Sequence, residues 1–238
     1  MKKVLFSALA ILFCLPVLFS QEEGAGSFRK QKKYFVAASY GFGTARWYST
    51  LTNAVIYDKS GNVIRSGEIQ FTAKNPTKFY NYEASFPVMK VRMGLGISFE
   101  EFYIDQLALS STPTAAESNL IFDESFRFDK IYFTLEVPFK FDSDKLYSFS
   151  ATSRLGYFNY NGIERFNFFG EEPMARSFLL NLGLLADYKV LPHVYLFVNP
   201  CVEFKYFKNN KDETPSTINH NIVSYNIVSG IRIDVSKE

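Results

Sequence analysis

Few side chains in this 238-residue chain could do covalent or metal chemistry. It contains two histidines, His193 and His220, and two cysteines, Cys14 and Cys201. His220 and Ser224 share strand parity, which invites comparison with a serine–imidazole pair on one barrel strand. Four residues of extended chain separate them by about 13 Å, too far for a nucleophile–base hydrogen bond. Both histidines read as polar residues of exposed turns or loop ends. Asp142 and Asp144, in the DSDK segment, make one short acidic motif rather than a calcium loop, and no Cys/His cluster has the spacing of a zinc site. Gly41 and Gly43 open no helix, so they cradle no phosphate. The expectation is a protein without enzymatic activity, cofactor or metal.

The remaining candidates are charges set at strand spacing. Lys90, Arg92, Glu136, Arg154, Asp187, Glu203, Lys205, Arg232 and Asp234 fall on the polar faces of alternating segments. Their signs are mixed, and Arg92 and Glu136 belong to adjacent segments. An unpaired charge is costly to bury. The expected arrangement is therefore a self-neutralising structural network of Lys90, Arg92, Glu136, Arg154, Glu203, Lys205 and Arg232. A narrow ion or solute pathway is the alternative.

The elements that would position these charges have a period of two. Met89, Val91, Met93, Leu95, Ile97 and Phe99 alternate with Lys90, Arg92, Gly94, Gly96 and Ser98. The same reading gives strands over 34–48, 78–86, 89–104, 128–141, 146–158, 176–190, 194–207 and 221–235. Pro87 is expected at a tight turn because it has no N–H to give to a ladder. The connections 49–77, 105–127, 159–175 and 209–220 are long, and the ones between them are short. The first long connection carries a hairpin signal around Ser60-Gly61-Asn62 and reads as a strand extension. Long connections confined to one end are what an outer-membrane barrel requires, with short periplasmic turns and long outer loops.

Export is expected from the N-terminus. Lys2 and Lys3 precede the apolar run Val4–Leu18, and Ser20 stands before polar Gln21-Glu22-Glu23, so 1–20 reads as a signal peptide cleaved after Ser20. Residues 21–32 read as a periplasmic lead-in and 33–238 as the barrel. No later stretch has the ~20 apolar residues of a membrane helix. Cys14 leaves with the signal, and Cys201 remains as a packed thiol without a disulfide partner. A net charge of +2 gives no electrostatic case for nucleic acid. Mean hydropathy of -0.06 suits a barrel with one apolar and one polar face. The 26 Phe and 15 Tyr suit both strands and interfacial girdles.

The segments YFTLEVPFKF (132–141), DSDK, LYSFSATSRLGYF (146–158) and NLGLLADYKVLPHVYLFVNPCVEFKYF (181–207) carry a family idiom. In it, a strand reading toward Glu-Val-Pro precedes a short turn, and the next strand ends in a Gly-aromatic pair. Over about 35–236 the chain resembles the small outer-membrane β-barrel domains of the OmpA/OmpX type found in Gram-negative bacteria such as Bacteroidetes. The resemblance implies an all-β, eight-stranded antiparallel up-and-down transmembrane β-barrel in the cell outer membrane. Its surroundings would be outer-membrane lipid, and its assembly partner the barrel insertion machinery. The chain departs from the family in ending Ile231–Glu238 without a terminal Phe. The implied role is structural or surface interaction through extracellular loops, where Ile121, Phe122, Phe166, Phe168 and Phe169 are more apolar than solvation requires. Three other readings stand beside it: a narrow pore or lipid-handling barrel, an enzyme acting on lipid A, and a soluble periplasmic β-barrel binding an apolar ligand.

Overall fold

A computed structural model describes residues 33–57, 60–61, 63–111, 118–139, 146–161, 176–210 and 217–236. They form eight strands: β1 (Phe35–Tyr57), β2 (Val63–Val88), β3 (Val91–Ser111), β4 (Ser118–Pro138), β5 (Tyr147–Asn161), β6 (Arg176–Leu191), β7 (Val194–Asn210) and β8 (Thr217–Asp234). Each strand pairs antiparallel with its neighbours in the chain, and β1 pairs with β8 to close a barrel. The closing register runs from Phe35↔Asp234 to Leu51↔Ile218. Closure leaves the cylinder without a free edge, so backbone groups find partners within the sheet.

Period-two alternation decides which rows face in. On β1, Val36, Tyr40 and Phe42 are exposed outward, while Phe35, Ala45, Trp47 and Ser49 are buried. On β3 and β4 the outward rows include Leu95, Ile97 and Ile131, and the inward rows include Ser98, Glu100, Thr134 and Glu136. The outward apolar rows of β5, β7 and β8 are exposed likewise, among them Tyr147, Phe149, Leu196, Phe204, Ile227 and Ile231.

Several boundaries differ from the sequence reading. The segment 105–127, expected as a loop, is mostly strand: β3 reaches Ser111, β4 begins at Ser118, and they pair through Leu109↔Ser118. Its Ser/Thr/Ala composition hid this, because a strand with no apolar face to cover shows no alternation. The strand extension expected in 49–77 is present, with β1 and β2 paired as far as Tyr57↔Val63. Gly61 takes a φ of 82° at the tip, a conformation that costs glycine nothing. The β1–β8 ladder ends at Leu51↔Ile218 and the β4–β5 ladder at Arg127↔Asn161. The strands β1 to β4 therefore rise past this rim as a sheet on one side. Pro87 does not make the β2–β3 turn. It pairs with Arg92 inside the ladder, and the turn is Met89–Lys90, where Met89 has a φ of 53°. The signal and lead-in (1–32), the Asp142-Ser143-Asp144-Lys145 turn and Phe166, Phe168 and Phe169 lie outside the described residues.

Small inward residues make room for large ones. A Cβ on Gly41 would stand 2.1 Å from the Phe79 ring, which is buried in a cluster with Leu185, Phe197, Cys201 and Val228. Gly41→Val is expected to destabilise the barrel by about 1–3 kcal/mol through overpacking. Urea unfolding of the refolded protein in micelles, followed by Trp47 fluorescence, measures this.

Candidate functional site in the barrel interior

The interior is built in layers, each drawing side chains from several strands. Nearest the end that holds both termini, Arg232 of β8 donates from Nη2 to Glu136 Oε2 at 2.5 Å and from Nη1 to Asp187 Oδ2 at 2.8 Å. Arg92 of β3 donates to Glu136 Oε1 at 2.6 Å, and Ser150 donates to the same oxygen at 3.0 Å. The Phe35 ring lies 4.7 Å from the Arg92 guanidinium and 5.1 Å from that of Arg232. In the next layer Arg154 pairs with Glu83 at 3.2 Å, and its guanidinium lies 5.4 Å from the Tyr132 ring.

A third layer is a ring of alternating charge. Lys130 of β4 reaches Glu100 at 2.7 Å and Glu203 at 2.6 Å. Lys205 of β7 reaches Glu203 at 2.8 Å and also pairs with Glu100. All four side chains are at most 5% exposed. Each lysine bridges both carboxylates, so the ring is neutral and each ammonium has its counter-charge in hand. Asn181 Nδ2 adds a contact of 3.4 Å to Glu203 and one of 3.3 Å to the buried Cys201 thiol.

An aromatic plug closes the end toward the long hairpins. Phe102, Phe126, Phe128, Phe158 and Phe207 surround Trp47, with Phe102–Phe128 and Phe128–Phe158 ring centroids each 5.3 Å apart and edge-on. The Lys205 ammonium lies 4.9 Å from the Phe102 centroid, so the charge ring and the plug touch through a cation–π contact.

Of the seven residues expected in the network, Arg92, Glu136, Arg154, Glu203, Lys205 and Arg232 stand inside in these ion pairs. Lys90 does not. It sits in the β2–β3 turn, because β3 begins two residues later than its alternation suggested. The sequence reading passed over Glu83, Glu100 and Lys130. The parity rule reaches all three: Glu100 follows Ser98, Lys130 precedes Tyr132, and Glu83 lies opposite the Tyr80–Tyr82 row.

His220 corrects the sequence reading most clearly. It is wholly buried, stacked on Phe207 with centroids 4.1 Å apart and planes 20° apart. Trp47 Nε1 donates to His220 Nδ1 at 3.1 Å, so Nδ1 is an acceptor and the ring proton lies on Nε2. Ser49 Oγ lies 2.6 Å from the same Nδ1. Ser224, too far along β8 to meet it, also points inward, and the hydroxyl that His220 does meet belongs to Ser49, its register partner on the adjacent strand β1. The Ser49–His220 contact has the hydrogen-bond geometry of a nucleophile–base pair. It is enclosed, with Ser49 5% and His220 0% exposed. His193 lies exposed in the β6–β7 turn, as read from sequence.

A cavity of about 10 Å³ lies among Ser39, Asn81, Glu83, Arg154 and Arg232. That is room for about one water molecule.

No protein-family model matches the chain, and no curated protein matches it. Among solved structures it is similar to Neisserial surface protein A, at 13% identity over 84% of this chain and 96% of that one, with a TM-score of 0.46. It is similar to the outer membrane protein OprG of Pseudomonas aeruginosa, at 9% identity over 87% of this chain and 98% of that one, with a TM-score of 0.48. It is also similar to the outer membrane protease OmpT of Escherichia coli, at 9% identity over 90% of this chain and all of that one, with a TM-score of 0.41.

Stranding a charge in the layer at the terminal end should cost far more than removing the whole neutral ring. Glu136→Gln removes the negative charge that Arg92 and Arg232 share and turns one of their acceptor oxygens into a donor, and is expected to destabilise by about 3–5 kcal/mol. Replacing Lys130, Glu100, Lys205 and Glu203 together by apolar residues of similar size should cost much less, since no charge is then stranded. Urea midpoints of the refolded variants compare the two.

Proposed function

We propose that this chain is an integral outer-membrane β-barrel, closed to solutes and without enzymatic activity, that serves as a rigid base for extracellular hairpins. The observation that carries the reading is the combination of an outward apolar band with a charged, paired interior. Outward rows such as Val36–Tyr40–Phe42, Leu95–Ile97 and Leu196–Val198 are exposed hydrophobics, while Glu100, Lys130, Glu136, Arg154, Glu203, Lys205 and Arg232 are buried within. A soluble barrel would invert this arrangement, because exposed apolar rows of this extent gain nothing from water. Lipid is the solvent in which it is favourable. The filled layers and the aromatic plug support a closed interior rather than a pathway. The enclosure of Ser49 and His220 supports a packing role for that pair. The sheet formed by β1 to β4 beyond the rim supports contact with partners outside the cell, since binding concentrates in segments presented by a rigid scaffold.

The protein should fractionate with outer membranes and migrate differently on gels before and after boiling. In planar bilayers the inserted protein should be electrically silent. Recovery in the detergent-free periplasmic extract would overturn the membrane reading, and stepwise conductance would overturn the closed interior.

A further inference from the structure

From β1 to β4 the outward row changes character at a common height. Val36, Tyr40 and Phe42 on β1 give way to Thr44 and Arg46, and Phe86, Tyr82 and Tyr80 on β2 give way to Lys78 and Lys74. On β3 the row reaches Glu101, and on β4 it reaches Asp129 and Arg127. From Phe35 to Arg46 the strand climbs about 28 Å along the axis, at ~3.4 Å per residue and ~40° of tilt. An apolar band is about 25 Å tall. If the proposed membrane setting holds, Arg46 and Lys74 lie at the outer headgroup level.

These two cations are directly opposite one another across the β1–β2 ladder, Arg46↔Lys74, and both are exposed on the outward face. Like charges directly opposite each other destabilise a sheet pair. Lys78 stands two pleat repeats lower on the same face, opposite Phe42 on one side and Glu101 on the other. Among the described residues no carboxylate forms an ion pair with Arg46, Lys74 or Lys78, in contrast to Arg127, which pairs with Asp129 at 2.7 Å. A second feature coincides with the site. The β2–β3 ladder is interrupted between Thr72↔Ala108 and Thr77↔Phe102, where β3 carries one extra residue, so no rung of that ladder forms at Lys74 while its pairing with Arg46 stays regular. Such irregularities re-aim side chains and mark built features. Tyr48 and Tyr225, both exposed, flank the pair on β1 and β8.

We infer that Arg46, Lys74 and Lys78 form a binding site for the phosphate of a lipid headgroup in the outer leaflet. An anion between the opposed cations removes their repulsion. The Arg46 fork offers two parallel donors to phosphate oxygens, and the lysines supply compact charge. Lys78, from its lower position, extends its stem along the apolar surface toward the headgroup. The flanking tyrosines suit the same interfacial depth. The site rests on the membrane reading, which alone places these side chains against lipid.

The test uses the full mature chain refolded into dioleoylphosphatidylcholine vesicles, with heat-modifiable mobility scoring insertion. The protein is then extracted into detergent, and native mass spectrometry compares retention of phosphatidic acid with that of phosphatidylcholine. Wild type is expected to favour phosphatidic acid by about tenfold, and Arg46→Gln/Lys74→Gln/Lys78→Gln to lose that preference while inserting normally. Arg127→Gln, at similar height but in an ion pair, should keep it. A wild type that inserts without any preference, or a triple variant that retains the preference, overturns the headgroup site alone. Displacement of phosphatidic acid by millimolar inorganic phosphate overturns the assignment to lipid, because the site then takes a free anion. Failure of wild type to insert overturns the membrane reading beneath it.

Discussion

Neutrality inside a closed cylinder is the constraint on which the rest of this structure depends. Once β1 pairs with β8, every second side chain is committed to the interior of the closed cylinder. Charges there can persist only beside opposite charges, and the chain meets this by pairing within each layer. Arg92 and Arg232 face Glu136 and Asp187; Arg154 faces Glu83; Lys130 and Lys205 face Glu100 and Glu203. The Lys–Glu ring takes its members from β3, β4 and β7, which are not all neighbours. A slip of one residue in any of these strands would turn a charge toward the outside and strand its partners, so the ring penalises wrong registers. Buried ion pairs add little net stability against apolar packing. Their contribution here is to specify register.

The aromatic plug solves the same filling problem without charge. Trp47, five phenylalanines and His220 pack mostly edge-to-face, an arrangement that aromatic quadrupoles favour. The polar hydrogen that this packing would otherwise strand on Trp47 Nε1 goes to His220 Nδ1, and Ser49 Oγ lies against the same nitrogen. Histidine is suited to the position because it stacks like an aromatic ring on Phe207 and still accepts the Trp47 bond. Lys205, at the seam, serves both regions: its ammonium belongs to the charge ring while facing the rings of Phe102 and Phe128.

How much of this was legible in the sequence follows from how local each signal is. Alternation is local, so the eight strands, their inward faces and six of the seven named network residues could be read from it. Lys90 could not, because a shift of two residues at a turn depends on the β2–β3 pairing rather than on the segment itself. Alternation leaves His220 in a loop because it starts β8 at Asn221. The strand begins at Thr217, and the aromatic companions of His220 come from β1 and β7, which no local window contains. The extensions of β3 and β4 were missed for a different reason. Above the apolar band neither face needs to be greasy, so backbone pairing continues after the hydrophobic pattern that announces it has stopped.

The outside of the barrel is less symmetrical than the inside. The strands β1 to β4 carry the extended sheet, the opposed cations and the interrupted stretch of the β2–β3 ladder. The opposite wall is more continuously apolar, and it is interrupted chiefly at Pro200 of β7. There the β6–β7 register passes from Gly183↔Cys201 to Ala186↔Val198 without the rungs between, as a residue lacking an N–H dictates. A neutral, filled interior gives a barrel no preferred rotation within a membrane plane and no reason to contact one neighbour over another. Those preferences must come from the outer surface, and in this chain the polar outward features above the band gather on the strands that also project furthest from it. A cationic face at headgroup depth on those strands would fix the height of the projecting sheet relative to the lipid, which is what a scaffold presenting a surface to external partners has to control.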